Sequence, residues 1–361
     1  MIQYFKNEHG TLYQGDALDV GSVVEPNSVH CCVCSPPYWG LRSYFNSDDT
    51  QLGLEKTPWI YVEKIVSIFR EIKKVMHPTG TLWLVIDDTY CVPSTKREGK
   101  LGMKPGVPMK NMIGIPWMVA LALQKDDWTL RCDIIWDAPN KKPEPMKDRP
   151  TRSHEYVFLL TKKSHYFYDQ IAIYEEIKHS NIFAGDRSKI KIESGKMFDG
   201  GHDRKNILEG KNRRAVWSIN TEPNSDPHYA AFPSKLAARC IKAGTSLKGC
   251  CSKCGNPIVR VMDDVPIAGT NSTMSTTVDW KPTCKCNAEV VPCTVLDPFT
   301  GRGTTAMAAE NLGRKWIGIE ITPESVELAK QNLLTRKLGL RPLKDVEDGL
   351  FQKDEMDIAI Q

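Results

Sequence analysis

Val295-Leu296-Asp297-Pro298-Phe299-Thr300-Gly301-Arg302-Gly303-Thr304-Thr305-Ala306, followed by Lys315-Trp316-Ile317-Gly318-Ile319-Glu320, reads as strand, glycine-bearing loop, helix, strand. Gly301 and Gly303 let the backbone approach a ligand closely, and Glu320 ends the next strand where a carboxylate accepts hydrogen bonds from ribose hydroxyls. Gly301, Gly303 and Ala306 also fit the Gly-x-Gly-x-x-Ala dinucleotide fingerprint, so a nicotinamide- or flavin-dependent oxidoreductase is a rival reading. Position weighs against it. Too little chain follows Glu320 for a second mononucleotide half, so the remaining strands must come from earlier in the sequence.

The partner stretch is Val33-Cys34-Ser35-Pro36-Pro37-Tyr38-Trp39. Residues Ser28 to Cys34 are β-prone and lack Pro and Gly, as expected of a strand covered on both faces. Pro36 and Pro37 end it, and their fixed φ holds the Ser35 side chain and the Pro36 carbonyl rigidly at the strand's carboxyl end. Ligands bind at that end of open α/β sheets. Ser-Pro-Pro by itself also occurs in ordinary loops; its significance comes from the glycine loop that accompanies it.

Between these two stretches the chain alternates strands and helices. Thr11 to Gln14, Thr81 to Ile86, Leu130 to Trp136 and Glu155 to Thr161 read as strands. Ile60, Ile65, Ile68, Phe69, Ile72 and Val75 recur at helical spacing over Trp59 to Met76, with Pro78-Thr79-Gly80 expected to stop the helix. Further helices are expected over Pro233 to Ala243 and Pro323 to Leu338. The alternation predicts a doubly wound α/β sheet. Asp87 and Asp88 are adjacent on a strand and so point to opposite faces, which favours capping or structural roles.

The chain has 361 residues, 41% hydrophobic and 25% charged, which suits one large α/β domain with insertions or two domains and excludes wholesale disorder. A net charge of +4 is small, so any nucleic-acid footprint must be local. No run reaches membrane-spanning length and Met1 to Lys6 lacks a secretory pattern, so a cytoplasmic location is expected. Six of the 12 cysteines fall between Cys250 and Cys293. Cys251-Ser-Lys-Cys254-Gly255 reads as a knuckle and Cys284-Lys-Cys286 supplies a second pair, so four thiolates can close a tetrahedral structural zinc site, a ribbon. Cys250 and Cys293 are spare sulfurs beside the two pairs, which leaves the ligand set open by one position.

Three segments concentrate basic charge. Thr89 to Lys110 carries Lys96, Arg97, Lys100, Lys104 and Lys110, as a DNA-gripping loop or a merely solvated one would. Lys141, Lys142, Lys147, Arg149 and Arg152 follow a strand end, where ligands sit. Lys178 to Arg214 holds ten Lys or Arg against five Asp or Glu, with Phe183, Phe198 and His202 interleaved and Arg213 and Arg214 at its end. That composition suits phosphate contacts with some base contacts, and equally a flexible surface excursion. From Asp345 onward an acidic tail is expected.

Ser35-Pro36-Pro37-Tyr38 near one end with Asp297-Pro298-Phe299-x-Gly301-x-Gly303-Thr304-Thr305 near the other resembles the amino-group DNA methyltransferases of permuted (beta) order. Gly15-Asp16, the Trp136 to Asp169 block with Arg149 and His154-Glu155, and His228-Tyr-Ala-Ala-Phe232-Pro233 extend the match over most of the chain. Cys34, where cytosine-N4 members often carry Thr, and Arg302, where many relatives carry Ser, depart from it. The resemblance implies an S-adenosylmethionine-dependent (Rossmann-like) doubly wound mixed sheet, circularly permuted, with the zinc ribbon inserted. It implies residues 1–177 as the catalytic half, 178–216 as a target-recognition insertion and 217–247 as a cofactor-side helix. Residues 248–293 would then be the ribbon, 294–340 the cofactor half and 341–361 the tail.

In that reading Ser35, Pro36, Pro37 and Tyr38 carry catalysis, and Asp16, Ser35, His228, Phe232, Pro233, Asp297, Pro298, Phe299, Gly301, Gly303, Thr304, Thr305 and Glu320 hold the cofactor. Cys251, Cys254, Cys284 and Cys286 hold zinc, and Lys141, Lys142, Arg149, Arg152, Arg213 and Arg214 contact double-stranded DNA. The implied reaction is methylation of an exocyclic amine on a flipped base, cytosine N4 before adenine N6, in a bacterial, archaeal or phage-encoded monomer or homodimer with a companion restriction endonuclease. Methylation of RNA or of a protein amide, and a zinc-ribbon DNA-binding protein without catalysis, remain alternatives.

Overall fold

The computed structural model describes residues 1–40, 51–91, 106–176, 210–222, 231–266 and 273–335. Nine strands form the central sheet: β1 (Ile2–Lys6), β2 (Gly10–Gln14), β3 (Val29–Cys34), β4 (Met76–Ile86), β5 (Thr129–Asp137), β6 (His154–Thr161), β7 (Val216–Ser218), β8 (Thr294–Asp297) and β9 (Lys315–Glu320). Their spatial order is β1-β2-β9-β8-β3-β4-β6-β5-β7. Strands β2, β9, β8, β3 and β4 run parallel, β6 is antiparallel to both β4 and β5, and β1 is antiparallel to β2. The two C-terminal strands therefore lie between β2 and β3, and the sheet is assembled from both ends of the chain.

The sheet is covered on both faces. On β3 every residue is buried: Cys32 and Cys34 join one apolar cluster, Cys31 and Val33 the other, as the period of two requires. The first face is covered by α1 (Pro58–Val75) and α2 (Ile115–Lys125), the second by α3 (Ser234–Gly244), α4 (Thr304–Asn311) and α5 (Pro323–Thr335). Helix α1 starts where Thr57 accepts a hydrogen bond from the Ile60 amide and Pro58 supplies a fixed φ. Ile65, Phe69 and Ile72 are fully buried on its inner face, each contributing roughly 1.5–3 kcal/mol of transfer free energy. Ile60, assigned to this stripe from its spacing, is instead 41% exposed beside exposed Trp59 in the first turn.

Pro78-Thr79-Gly80 does not separate α1 from the following strand. The helix ends at Val75 and β4 begins at once at Met76, running through Pro78. The sheet tolerates this proline because the register is irregular there: Met76 pairs with Val29 and Thr81 with Cys31, so Pro78 falls in a bulged stretch that needs no ladder amide. Periodicity gives no signal for strands β1 and β7 or for helix α2; β7 has three residues, and only its middle one, Trp217, is buried.

Between α3 and β8 the chain leaves the sheet as an antiparallel hairpin, Ile258–Pro266 with Thr273–Pro282, flanked by short paired strands Cys250–Cys251 and Val290–Val291. Arg260 anchors the hairpin to the body through buried Asp169 (Nε to Oδ2, 2.9 Å) and stacks over Trp280. The basic loop around Lys96 to Lys104, most of the Lys178 to Arg214 segment, His228 and the acidic tail lie outside the described residues.

Candidate active site at the carboxyl edge of the sheet

The register places the two sequence motifs side by side. Val295 and Leu296 of β8 pair with Cys31 and Cys32 of β3, so Asp297-Pro298-Phe299 and Ser35-Pro36-Pro37 leave adjacent parallel strands at the same edge. The Thr305 hydroxyl donates to the Val33 carbonyl (3.2 Å), tying the first turn of α4 to the strand that carries Ser35. On the other side of β8, Glu320 ends β9 and pairs with Gln14, which brings Gly15-Asp16 into the same row. The Gly15 amide donates to the Glu320 carbonyl (3.0 Å), and Asp16 caps the short 3-10 turn Ala17–Ser22 by accepting from the Leu18 amide.

The glycine loop is ordered by its own hydrogen bonds. The Phe299 amide donates to Asp297 Oδ1 (3.0 Å), the Thr300 hydroxyl to the Asp297 carbonyl (3.0 Å), and the Thr300 amide to the Ile319 carbonyl (2.9 Å). The loop crosses β9 at Gly318, where an added Cβ would lie 2.7 Å from the Thr300 hydroxyl oxygen. Gly301 and Gly303 have φ of +51° and +91°, the left-handed region that favours glycine. Glu320 is held at both oxygens, Oε2 by the Gly301 amide (2.8 Å) and Oε1 by the Thr322 amide (3.0 Å). Burial pushes the Asp297 carboxyl up to about 7 and raises that of Glu320 as well. Helix α4 opens at Gly303 with no side chain capping its first amides, which leaves a polar, partly positive end facing this loop. Phe232 and Pro233 lie at the start of α3; Phe232 is buried in the cluster that α3 shares with α4.

On the other side of Ser35 a chain of polar side chains runs along the edge. The Ser35 hydroxyl donates to the Tyr38 oxygen (3.1 Å), and Tyr38 donates to Glu155 Oε2 (2.8 Å) near the start of β6. Glu155 Oε1 accepts from Lys141 Nζ (3.2 Å), which also donates to Asp87 Oδ2 (3.3 Å), and Arg152 Nη2 pairs with Asp87 Oδ1 (2.7 Å). The Ser-Pro-Pro-Tyr-Trp turn is braced from behind: Tyr61 donates to the Pro37 carbonyl (3.0 Å) and the Trp39 indole to the Glu55 carbonyl (3.0 Å). Burial first, then Glu155 and Asp87, raise the Tyr38 phenol well above its ordinary value. Glu155 is raised by burial and by Asp87, with Lys141 pulling the other way. Burial works against the Lys141 charge, but Glu155 and Asp87 outweigh it, so this ammonium is held above its usual range.

Several residues have other surroundings than their sequence context suggested. Asp88 does cap, accepting from the Gly114 and Ile115 amides at the start of α2, whereas Asp87 faces the site through Lys141 and Arg152. Lys141 and Arg152 are therefore turned onto acids of the site, and Arg149 pairs with Glu144 and lies 3.9 Å over the Tyr90 ring; Lys142 is exposed. Arg213 donates to the carbonyls of Ile173 and Tyr174, and exposed Arg214 to Glu175. Glu155 joins this chain of side chains without a local signal, since what marks it is the partner it meets across the fold rather than its neighbours in the sequence.

The six cysteines from Cys250 to Cys293 gather at the opposite edge. The thiols of Cys251, Cys254, Cys284 and Cys286 lie within 4.8 Å of one another. The knuckle is closed by Gly255 N–H donating to the Cys251 carbonyl (2.8 Å), with Gly255 at φ +73°. It rests on the starts of β3 and β4, where His30 donates to the Gly255 carbonyl (2.8 Å) and His77 to that of Cys254 (3.1 Å), the two rings stacked 5.3 Å apart. Cys250 and Cys293 form a separate buried group with His30. His30 Nδ1 accepts from the Thr294 amide (3.0 Å) while Nε2 serves Gly255, so both its nitrogens are occupied by protein.

Comparison with known proteins gives a consistent picture. The family model described as DNA methylase matches residues 29–251 and 293–331, skipping the interval that contains the hairpin and the Cys284-Lys-Cys286 pair. The chain is 36% identical over 335 residues to Type II methyltransferase M.Cfr9I of Citrobacter freundii, covering 90% of this chain and 87% of that protein. It is 35% identical over 335 residues to Type II methyltransferase M.SmaI of Serratia marcescens, covering 90% of each. Among solved structures, PvuII DNA methyltransferase (cytosine-N4-specific) superposes with a TM-score of 0.57 at 17% identity, covering 96% of this chain and 93% of that one, a likeness of fold.

Proposed function

From membership of the DNA methylase family, to which this chain belongs, we propose that it transfers the methyl group of S-adenosylmethionine to the N4 amine of a cytosine flipped out of double-stranded DNA. The observation that carries this reading is the adjacency of the glycine loop and Ser35 at the ends of hydrogen-bonded strands. A methyl donor on one and an amine on the other would meet at that edge. The residues fit the donor. The uncapped start of α4 suits its carboxylate, and the Glu320 carboxylate, oriented by the Gly301 and Thr322 amides, is an acceptor suited to ribose hydroxyls. In this reading Asp16, next to the Glu320 strand, would hold the adenine end, and Phe232 and Pro233 at the start of α3 the methionine end. When bound, the donor supplies an electrophilic methyl on a sulfonium, whose C–S electron pair passes to sulfur as the C–N bond forms.

The chain's own residues prepare the amine. An exocyclic amine is a poor nucleophile because its lone pair is delocalised into the ring. Ser35 and the Pro36 carbonyl accept its two N–H bonds and favour the pyramidal nitrogen of the transition state, while Tyr38 stacks on the base and holds it in line. No strong base is required before transfer, which is why a neutral serine suffices and why cytosine is favoured over adenine N6. The four clustered thiols would hold one zinc with no open position, at the edge away from Ser35, so its role would be structural. The type II names of the relatives support a restriction–modification setting with a companion endonuclease. Incubation with duplex DNA and labelled S-adenosylmethionine, followed by mass spectrometry of the nucleosides, should give N4-methylcytosine. N6-methyladenine alone would overturn the choice of base; tight NAD binding without S-adenosylmethionine binding would overturn the reaction.

A further inference from the structure

We infer that Glu155 is a positioning residue for methyl transfer, fixing through Tyr38 the direction of the Ser35 hydroxyl and taking up the proton that the methylated amine gives off. The inference rests on the methyltransferase reading above and deepens it. Its basis is the polarity of the hydrogen bonds. An ionised carboxylate only accepts, so Tyr38, 2.8 Å from Glu155 Oε2, must donate to it. The phenol oxygen is then left to accept, and the Ser35 hydroxyl at 3.1 Å donates its one proton there. Both lone pairs of Ser35 are thereby turned away from Tyr38 and free to accept an amine N–H. A serine with no such constraint would rotate and at times offer the amine a donor, which would repel the N–H bonds it has to bind.

The same chain gives the proton a route. Once the C–N bond has formed, nitrogen carries the methyl group, both its original protons and a positive charge. One N–H proton passes to the Ser35 oxygen as the Ser35 proton passes to Tyr38 and the Tyr38 proton to Glu155 Oε2. The base ends neutral, Ser35 and Tyr38 regain their starting forms with the hydrogen bonds reversed, and Glu155 becomes a carboxylic acid that returns the proton to solvent before the next turnover. The surroundings suit an acceptor. Burial and neighbouring Asp87 raise the Glu155 pKa, and Lys141 keeps Asp87 as a partner at 3.3 Å while Glu155 is neutral. Arg152, 2.7 Å from Asp87, pairs with that second acid. The charged groups facing Glu155 are thus Lys141 and Asp87, with Arg152 behind.

Tyr38→Phe separates this role from stacking, because it keeps the ring and removes only the hydroxyl. It should lower kcat by about ten-fold or more, as loss of a proton-transfer partner does, with affinity for DNA and for S-adenosylhomocysteine within about two-fold of wild type. Glu155→Gln, which can present an NH2 to Tyr38 and reverse the chain, should do the same, and Glu155→Asp should restore part of the loss. In wild type, kcat should fall as pH drops through the Glu155 titration, and this limb should vanish in Tyr38→Phe. A second measurement needs no turnover. With tyrosines labelled at the ring carbon bearing oxygen, the NMR resonance missing from Tyr38→Phe should move with pH in the free protein and stay still in Glu155→Gln. Wild-type kcat in Tyr38→Phe, or a Tyr38 resonance indifferent to the Glu155 titration, would overturn the inference. Failure of wild type to methylate any DNA would instead overturn the methyltransferase reading, and the free-protein resonance tells the two apart.

Discussion

Removing the Glu320 side chain should weaken S-adenosylmethionine binding by roughly 10- to 150-fold. The figure follows from the state of the carboxylate before any ligand arrives. Its two oxygens are already held by the Gly301 amide at 2.8 Å and the Thr322 amide at 3.0 Å, so binding a ribose costs no further side-chain ordering. Hydrogen bonds to a charged acceptor contribute about 1.5–3 kcal/mol, which converts to the stated range in Kd. Glu320→Ala should fall toward the upper end of that range, since the substitution also strands the Gly301 and Thr322 amides and loosens the left-handed turn at Gly301 and Gly303. Glu320→Gln retains one acceptor oxygen and should fall between. Isothermal calorimetry with S-adenosylmethionine and with S-adenosylhomocysteine, beside thermal unfolding of each variant, separates weaker binding from a weakened fold. A folded Glu320→Ala protein with wild-type affinity for both would refute the assignment of this carboxylate to the ribose.

Ser35→Ala and Tyr38→Ala should each reduce turnover by about ten-fold or more with cofactor affinity nearly unchanged, because these groups act on the amine; single-turnover kinetics and calorimetry read the two effects separately. Protein purified without added metal should carry one zinc per chain by elemental analysis, and chelation should release it and expose the hairpin to protease before the sheet. Arg214→Ala should flatten the log–log salt dependence of DNA affinity by roughly 0.9, the slope of a single phosphate that the side chain no longer neutralises. Arg213→Ala should also cost stability, since Arg213 holds the carbonyls of Ile173 and Tyr174. Asp297 has a pKa raised by burial to about 7 in the folded chain. The native state therefore binds this proton more tightly than the unfolded state, and the stability it contributes is full at acid pH and is lost as pH rises through about 7. Asp297→Asn should accordingly gain in Tm relative to wild type between about pH 4 and about pH 7; a pH-independent difference would show that folding does not raise the pKa of this carboxyl.

The local grammar of this protein is written in its sequence. Strand, glycine loop, helix and strand over Val295 to Glu320 follow from φ restrictions and periodicity that act over a few residues, and the structure returns them as β8, α4 and β9. The cysteine knuckle is local for the same reason: a tight turn brings two thiols together whatever surrounds it. Where a local rule met the tertiary structure, it held only in part. Pro78 reads as a helix stop and α1 does end at Val75, but Pro78 then lies within β4 rather than before it, because an irregular register with β3 relieves it of its ladder duty. Choosing among the six cysteines from Cys250 to Cys293 also needed the fold, which gathers Cys251, Cys254, Cys284 and Cys286 into one cluster and leaves Cys250 and Cys293 beside His30 in another. The polar chain at the site was illegible for the same reason. Tyr38 and Glu155 are 117 positions apart, and Thr305 reaches the Val33 carbonyl across 272. Neither spacing has a period to betray it. Which strand lies beside which is set by crossover connections and by how two apolar faces are shared among the described helices, so only the assembled sheet decides that Ser35 stands between a glycine loop and a half-buried carboxylate.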